Sequence, residues 1–242
     1  MRKVKEVCSM IKELSAINNS PDDFLLKPTA FEPVDEELVD IYEYSKGEIL
    51  VDMQYCKMNI IGAIDKAYVR KGAADRLIKA QSMLPEGYHL TVWDSWRPYE
   101  VQKHLFDTYY RSLENDEKYA HLTKEQLHKK ACEFVSFPDK SKNPSYVHSS
   151  GGAIDLTITD SKGILLDMGT AFDDFSHRAH TDYFEKSDEN ITARNNRRLL
   201  YYVMTQSGFI NYPFEWWHFD YGDIFHGGIT GEAVKYASVF SL

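Results

Sequence analysis

His148-Ser149-Ser150-Gly151-Gly152-Ala153-Ile154-Asp155-Leu156-Thr157-Ile158-Thr159 joins a polar loop to an alternating segment. From Ala153 onward the residues divide with a period of two, the side-chain period of a strand. Ile154, Leu156 and Ile158 fall on one side, and Ala153, Asp155, Thr157 and Thr159 on the other. The apolar side is suited to a core, and the other side carries a carboxylate. Two adjacent glycines can bend the preceding loop, because they tolerate backbone conformations that side chains exclude. Such a bend brings the His148 imidazole towards Asp155. Taken alone, the same residues also describe a glycine turn entering a strand whose aspartate is merely solvated.

On the C-terminal side, Asp160-Ser161-Lys162-Gly163 reads as a turn into Ile164-Leu165-Leu166, a hairpin. Asn195 to Gln206 has helical spacing around Leu199, Leu200, Val203 and Met204, with Gly208 placed to end it. On the N-terminal side, 49–55 and 88–93 read as strands, and Ala73 to Leu84 as a helix stopped by Pro85 and Gly87. Pro98 opens a helix whose Val101, Leu105, Tyr109 and Leu113 face one way. Thr123 with Gln126 is a capping box opening another through Val135, followed by a polar loop over 136–146. Val4, Val7, Ile11 and Leu14 predict an amphipathic helix over 2–16. The tail 222–242 reads as a surface loop and short helix. Regular βαβ alternation is missing, so the fold class is α+β with a central, mainly antiparallel sheet flanked by helices.

The 242 residues suffice for one large core, and no linker composition divides them, so 1–242 reads as a single domain with the N-terminal helix and the tail as peripheral elements. A formal net charge of -9 argues against nucleic acid or an anionic membrane surface as partner, since both would repel the chain. Cys8, Cys56 and Cys132 are too scattered for a disulfide framework or a metal knuckle. No apolar run approaches the roughly 18 residues of a membrane span. As it stands, the sequence predicts a cytoplasmic protein; a leader removed from a precursor would make it periplasmic.

Glu215-Trp216-Trp217-His218 supplies a second histidine beside an acid. A lone histidine in such a strand is more often a satisfied core residue, but His148 and Asp155 change the balance. Two imidazoles and one carboxylate form a three-ligand set that zinc accepts while keeping a fourth position for water. The metal acidifies that water towards a pKa of about 7, and Glu215 is then available as the base. Positions 215 and 218 point to opposite faces of a regular strand, so the backbone must bulge there or Glu215 must precede the strand. In Trp93-Asp94-Ser95-Trp96-Arg97-Pro98, Arg97 is either an inert partner of Asp94 or a guanidinium aimed at a developing oxyanion. Spacing alone leaves both open.

With these pieces in order, the sequence resembles the VanX-type D-alanyl-D-alanine dipeptidases, relatives of zinc D-Ala-D-Ala carboxypeptidases and of hedgehog amino-terminal domains. The family pattern SxHxxGxAxD followed by a distant ExxH is matched by His148, Gly151, Ala153, Asp155, Glu215 and His218, and D-x-x-R-P by Asp94, Arg97 and Pro98. Similarity in Asp52-Met53-Gln54-Tyr55 and Met168-Gly169-Thr170-Ala171-Phe172-Asp173 extends it over roughly residues 50 to 220.

The resemblance implies a zinc cleft on the sheet, with one zinc per chain held by His148, Asp155 and His218. It implies Glu215 as general base, Arg97 as stabiliser of the tetrahedral intermediate, and Asp173 as partner of the substrate ammonium. Tyr146 stands where the family has a serine beside the substrate, a departure that bears on which dipeptide fits. The implied activity is hydrolysis of a small free dipeptide, D-Ala-D-Ala, from cell-wall chemistry. Alternatives are a peptidoglycan D,D-carboxypeptidase or endopeptidase, or a non-catalytic zinc module. Glu215 and Arg97 together speak against the last.

Overall fold

The computed structural model describes residues 14–242. The expected helix over 2–16 therefore lies outside the described residues except for its last three, which are not helical. Among the described residues seven strands follow in order: β1 (Leu38–Asp40), β2 (Leu50–Val51), β3 (Tyr68–Arg70), β4 (His89–Asp94), β5 (Ala153–Thr159), β6 (Ile210–Asn211) and β7 (His218–Asp220). β1 and β3 pair with each other. The other five form one sheet in the order β2-β4-β5-β7-β6, parallel only between β2 and β4. The α+β, mainly antiparallel expectation holds.

β5 is the centre of that sheet, and all seven of its residues are buried. Ile154, Leu156 and Ile158 share the main core with Ala73, Ala74 and Leu77 of the helix Lys71–Ser82 and with Leu199, Leu200 and Val203 of the helix Ile191–Thr205. The polar side is not solvated as its composition suggests. Thr91 and Thr159 hydrogen-bond across the strands at 2.6 Å, and Asp155 lies within a covered site. Two further helices, Tyr99–Glu114 and Lys124–Cys132, pack on each other through Phe106, Leu113, Leu127 and Ala131. The helix 99–114 also lines a cavity beside the sheet with Leu105 and with Tyr109, whose ring packs against this small core as well.

Local chemistry explains the remaining differences. The Thr123 capping box forms with both reciprocal bonds, but its helix stops at Cys132 because Ala131 C=O takes the amides of both Phe134 and Val135. Strand 49–55 shrinks to Leu50–Val51: Asp52 N–H still donates to Val92 C=O, and Gln54–Lys57 then coils into one helical turn. That turn buries the Tyr55 ring. The hairpin after β5 keeps one bridge, Thr159 to Leu165, because Asp160 Oδ1 caps the turn by accepting from the Lys162 and Ile164 amides.

The tail forms the expected short helix, Ile224–Thr230, but the expectation that it lies on the surface is corrected. His226, Val234 and Tyr236 are buried, and Val239 N–H donates to Ser149 C=O. Ala237 C=O takes a hydrogen bond from Arg70, and Val239 C=O takes one from Trp96. The tail thus braces the loop that carries His148. Among the described residues no helix is long and apolar enough to cross a membrane.

Candidate metal centre and substrate cavity

Sheet register builds the site. Asp155 of β5 pairs with Asp94 of β4 on one side and with His218 of β7 on the other, so three polar side chains form a row across the sheet. Cross-strand neighbours have Cβ atoms only about 4.5–5.5 Å apart. His218 Nδ1 consequently lies 2.8 Å from Asp155 Oδ1. His148 arrives from the single-turn helix Val147–Ser150, which Gly151 ends at φ 74°. A Cβ on Gly152 would meet Tyr221 C=O at 2.2 Å, so only glycine allows the chain to pass there into β5. The bend expected of these glycines is present. His148 Nε2 lies 3.5 Å from Asp155 Oδ2, and the two imidazole centroids are 5.0 Å apart.

The far nitrogens of both rings are held by protein groups. His148 Nδ1 faces Ser95 C=O at 2.8 Å, which places a proton on Nδ1 and leaves Nε2 as a lone pair towards Asp155. His218 Nε2 faces Asp220 Oδ1 at 3.0 Å, leaving Nδ1 inward. One donor atom from each of His148, Asp155 and His218 can be chosen so that all lie within 4.8 Å of one another. Tetrahedral zinc, at about 2.0–2.2 Å from nitrogen and oxygen ligands, fits such a spacing with small side-chain adjustments. The electrostatics agree. Burial, with help from Arg97 and His218, holds His148 well below its usual pKa, which leaves its imidazole neutral, the form that can ligate a metal. Burial opposes charge on His218 too, but Asp220 and Asp155 outweigh it and push its pKa up. A proton is thus favoured where a cation would sit, and metal binding would displace it.

Glu215 precedes β7. Its N–H donates to Tyr212 C=O, and its own C=O accepts from His218 N–H, so 215–218 is a turn and not strand. This resolves the facing problem: Glu215 Oε2 sits 3.8 Å from His218 Nδ1. Burial raises the Glu215 pKa to about 7, with His218 lowering it and Asp155 raising it.

Arg97 pairs with Asp94 and also faces Asp155. Its Nε and Nη2 bond Asp94 Oδ2 at 2.8 and 2.7 Å, while Nη2 also approaches Asp155 Oδ2 at 3.6 Å. Burial raises the Asp94 pKa to about 7 against the opposing pull of Arg97. Tyr55 lies under the guanidinium at 4.8 Å and donates its hydroxyl to Asp173 Oδ2 at 3.0 Å. Asp173 has φ 56°, and burial lifts its pKa to about 6. Tyr146 is buried and donates to Arg97 C=O at 2.9 Å. The neighbouring Ser145 accepts from Asp139 N–H through its Oγ.

All seven residues singled out from sequence line one cavity of about 410 Å³, together with Tyr55, Gln102, Leu105, Tyr109, Phe175 and Tyr212. Sequence reading missed Tyr55, Gln102 and Asp220. Tyr55 lay in a segment read as plain strand, and a buried Gln or Asp has no local signal of its role. A buried His-Asp-His triad with an adjacent carboxylate, on a cleft of an antiparallel sheet, defines the class: a metal-dependent hydrolase.

The comparisons refine this. A family profile, Peptidase_M15, described as D-ala-D-ala dipeptidase, matches residues 37–235. A D-alanyl-D-alanine dipeptidase of Escherichia coli is 30% identical over 198 residues, covering 76% of this chain and 84% of its own. One from Synechocystis is 28% identical over 171 residues, covering 64% and 69%. Among solved structures, a zinc(II) complex of the VanY D,D-pentapeptidase is 15% identical with a TM-score of 0.43, over 87% of this chain and 95% of that one. The chain belongs to the M15 D-Ala-D-Ala dipeptidase family of zinc peptidases.

Proposed function

We propose that the protein hydrolyses free dipeptides, D-Ala-D-Ala foremost, with one zinc per chain held by His148, Asp155 and His218. The observation that carries this reading is the meeting of that triad, within 4.8 Å, with Glu215 3.8 Å from His218 on the wall of the same cavity. Zinc, when bound, supplies a Lewis acid and acidifies a water. Glu215 takes the proton of the attacking water and returns it to the leaving amine, a role open to a carboxyl that stands 3.8 Å from His218 without being one of the three proposed ligands. Arg97 is kept charged by Asp94 and points Nη2 towards the ligand Asp155. There it stabilises the oxyanion as charge develops, more than it stabilises the bound peptide. Asp173 lies across Tyr55 from Arg97 and takes the substrate ammonium, whose charge would favour the ionised carboxylate. Tyr146 fills the space beside Arg97 and narrows the choice of side chain.

The experiment is kcat/KM for D-Ala-D-Ala against its N-acetyl derivative and against L-Ala-L-Ala. An acylated amine leaves Asp173 with the Tyr55 hydroxyl but without a cationic partner, so a large preference for the free peptide is expected. Equal cleavage of the acetylated peptide replaces the dipeptidase with a carboxypeptidase. Cleavage of only the L,L peptide keeps the amine argument and removes the cell-wall substrate.

A further inference from the structure

Arg97 has five N–H groups, and Asp94 engages two of its nitrogens through a single oxygen, Oδ2. One shared acceptor atom fixes only the Nε and Nη2 edge of the planar guanidinium. A second fixed point is needed to aim the remaining N–H groups. Gln102 supplies it: its Oε1 accepts from Arg97 Nη1 at 2.7 Å, and its Nε2 donates to Ser136 C=O at 2.7 Å. Gln102 is only 2% exposed and sits in the first turn of the helix 99–114, which begins just after Arg97. Its amide cannot flip, since flipping would set donor against donor at Arg97 and acceptor against acceptor at Ser136.

We infer that Gln102 is a positioning residue, which locks the Arg97 fork so that its free N–H groups face the Asp155 side of the cavity. This rests on the proposed role of Arg97 at the oxyanion. With Nε–H, one Nη1–H and one Nη2–H engaged, one N–H on each terminal nitrogen is left, and Nη2 already lies 3.6 Å from Asp155 Oδ2. A neutral acceptor suits the task. Asp94, Asp155 and Asp173 all act electrostatically on Arg97, and another carboxylate would offset the positive field that the oxyanion needs. The bond to Ser136 ties this lock to the loop that leaves the neighbouring helix 124–132, so that helix pair also supports the aim of Arg97.

The test is a double-mutant cycle with Gln102→Met and Arg97→Lys, run on whichever peptide the parent cleaves. Methionine keeps volume and removes both hydrogen bonds. Gln102→Met in the parent should lower kcat about 10-fold at nearly unchanged KM, since loss of a whole oxyanion donor costs about 10²-fold or more. In the Arg97→Lys background the same change should cost less than about 2-fold, because no fork remains to be aimed. Zinc content and circular dichroism should match the parent; if Gln102→Met does not fold, Gln102→Leu and Gln102→Asn replace it in the same cycle. An unchanged kcat, or an equal loss in both backgrounds, overturns the inference and leaves Gln102 a brace of the Ser136 loop. A parent inactive on D-Ala-D-Ala but active on another peptide would instead count against the substrate reading alone.

Discussion

Among the described residues, Asp220 is the hydrogen-bond acceptor of His218 Nε2, 3.0 Å away, and Asp220→Ala removes it. Asp220 is fully buried on β7, so no bulk water takes its place beside the ring. Two consequences follow for zinc. The imidazole loses the contact that keeps Nδ1 turned towards Asp155, and it loses the carboxylate that raises its basicity. Removing such a partner typically weakens metal binding about 10- to 100-fold, equivalent to about 1.4 to 2.7 kcal/mol. Full burial places this case at the upper end. Asp220→Asn keeps an acceptor oxygen without the charge and should lose less. The assay is competition for zinc between each protein and a chromophoric chelator, with circular dichroism as the check on folding. Parent-like zinc affinity in a folded Asp220→Ala protein would refute the reasoning, and His218 would then be oriented by Asp155 and its own backbone.

Three further outcomes are expected. Elemental analysis should find close to one zinc per chain, most of it lost in His148→Ala and His218→Ala; full occupancy in either variant removes that residue from the ligand set. Glu215→Ala should retain zinc and lose about 10²-fold or more in kcat, the usual contribution of a general acid-base group; metal loss would make it a ligand instead. In the metal-free protein, Glu215 has its pKa raised from 4.5 to about 7 by burial, so the folded state binds more protons than the unfolded one between those values. Its contribution to stability is present below about pH 4.5 and is lost as pH rises towards 7. Glu215→Gln should therefore flatten part of the fall in Tm across that window, and an identical Tm profile in parent and variant would contradict it.

Much of this protein is legible locally. A period of two marked β5, the Thr123 and Gln126 pair marked a helix start, and two glycines marked the bend behind His148, because each signal spans only a few residues. The proposed ligands, with Glu215, Arg97 and Asp173, stand out in the sequence by residue type, spacing and resemblance. What the chain could not reveal by itself is partnership over long separations. That Asp155 stands between Asp94 and His218 is a matter of sheet register. Register depends on which strands pair, not on either strand's own pattern. That Glu215 and His218 share a side depends on a turn closed by Tyr212 before β7 begins. Gln102 and Asp220 carry no local mark, since a buried amide or carboxylate gains meaning only from the group brought against it, here Arg97 and His218. The same holds for the tail, whose short, broken hydrophobic pattern reads as surface until Val239 and Ala237 are seen hydrogen-bonded to segments more than eighty residues away. Periodicity and capping are short-range physics, whereas packing and cross-strand pairing are settled by the whole chain at once.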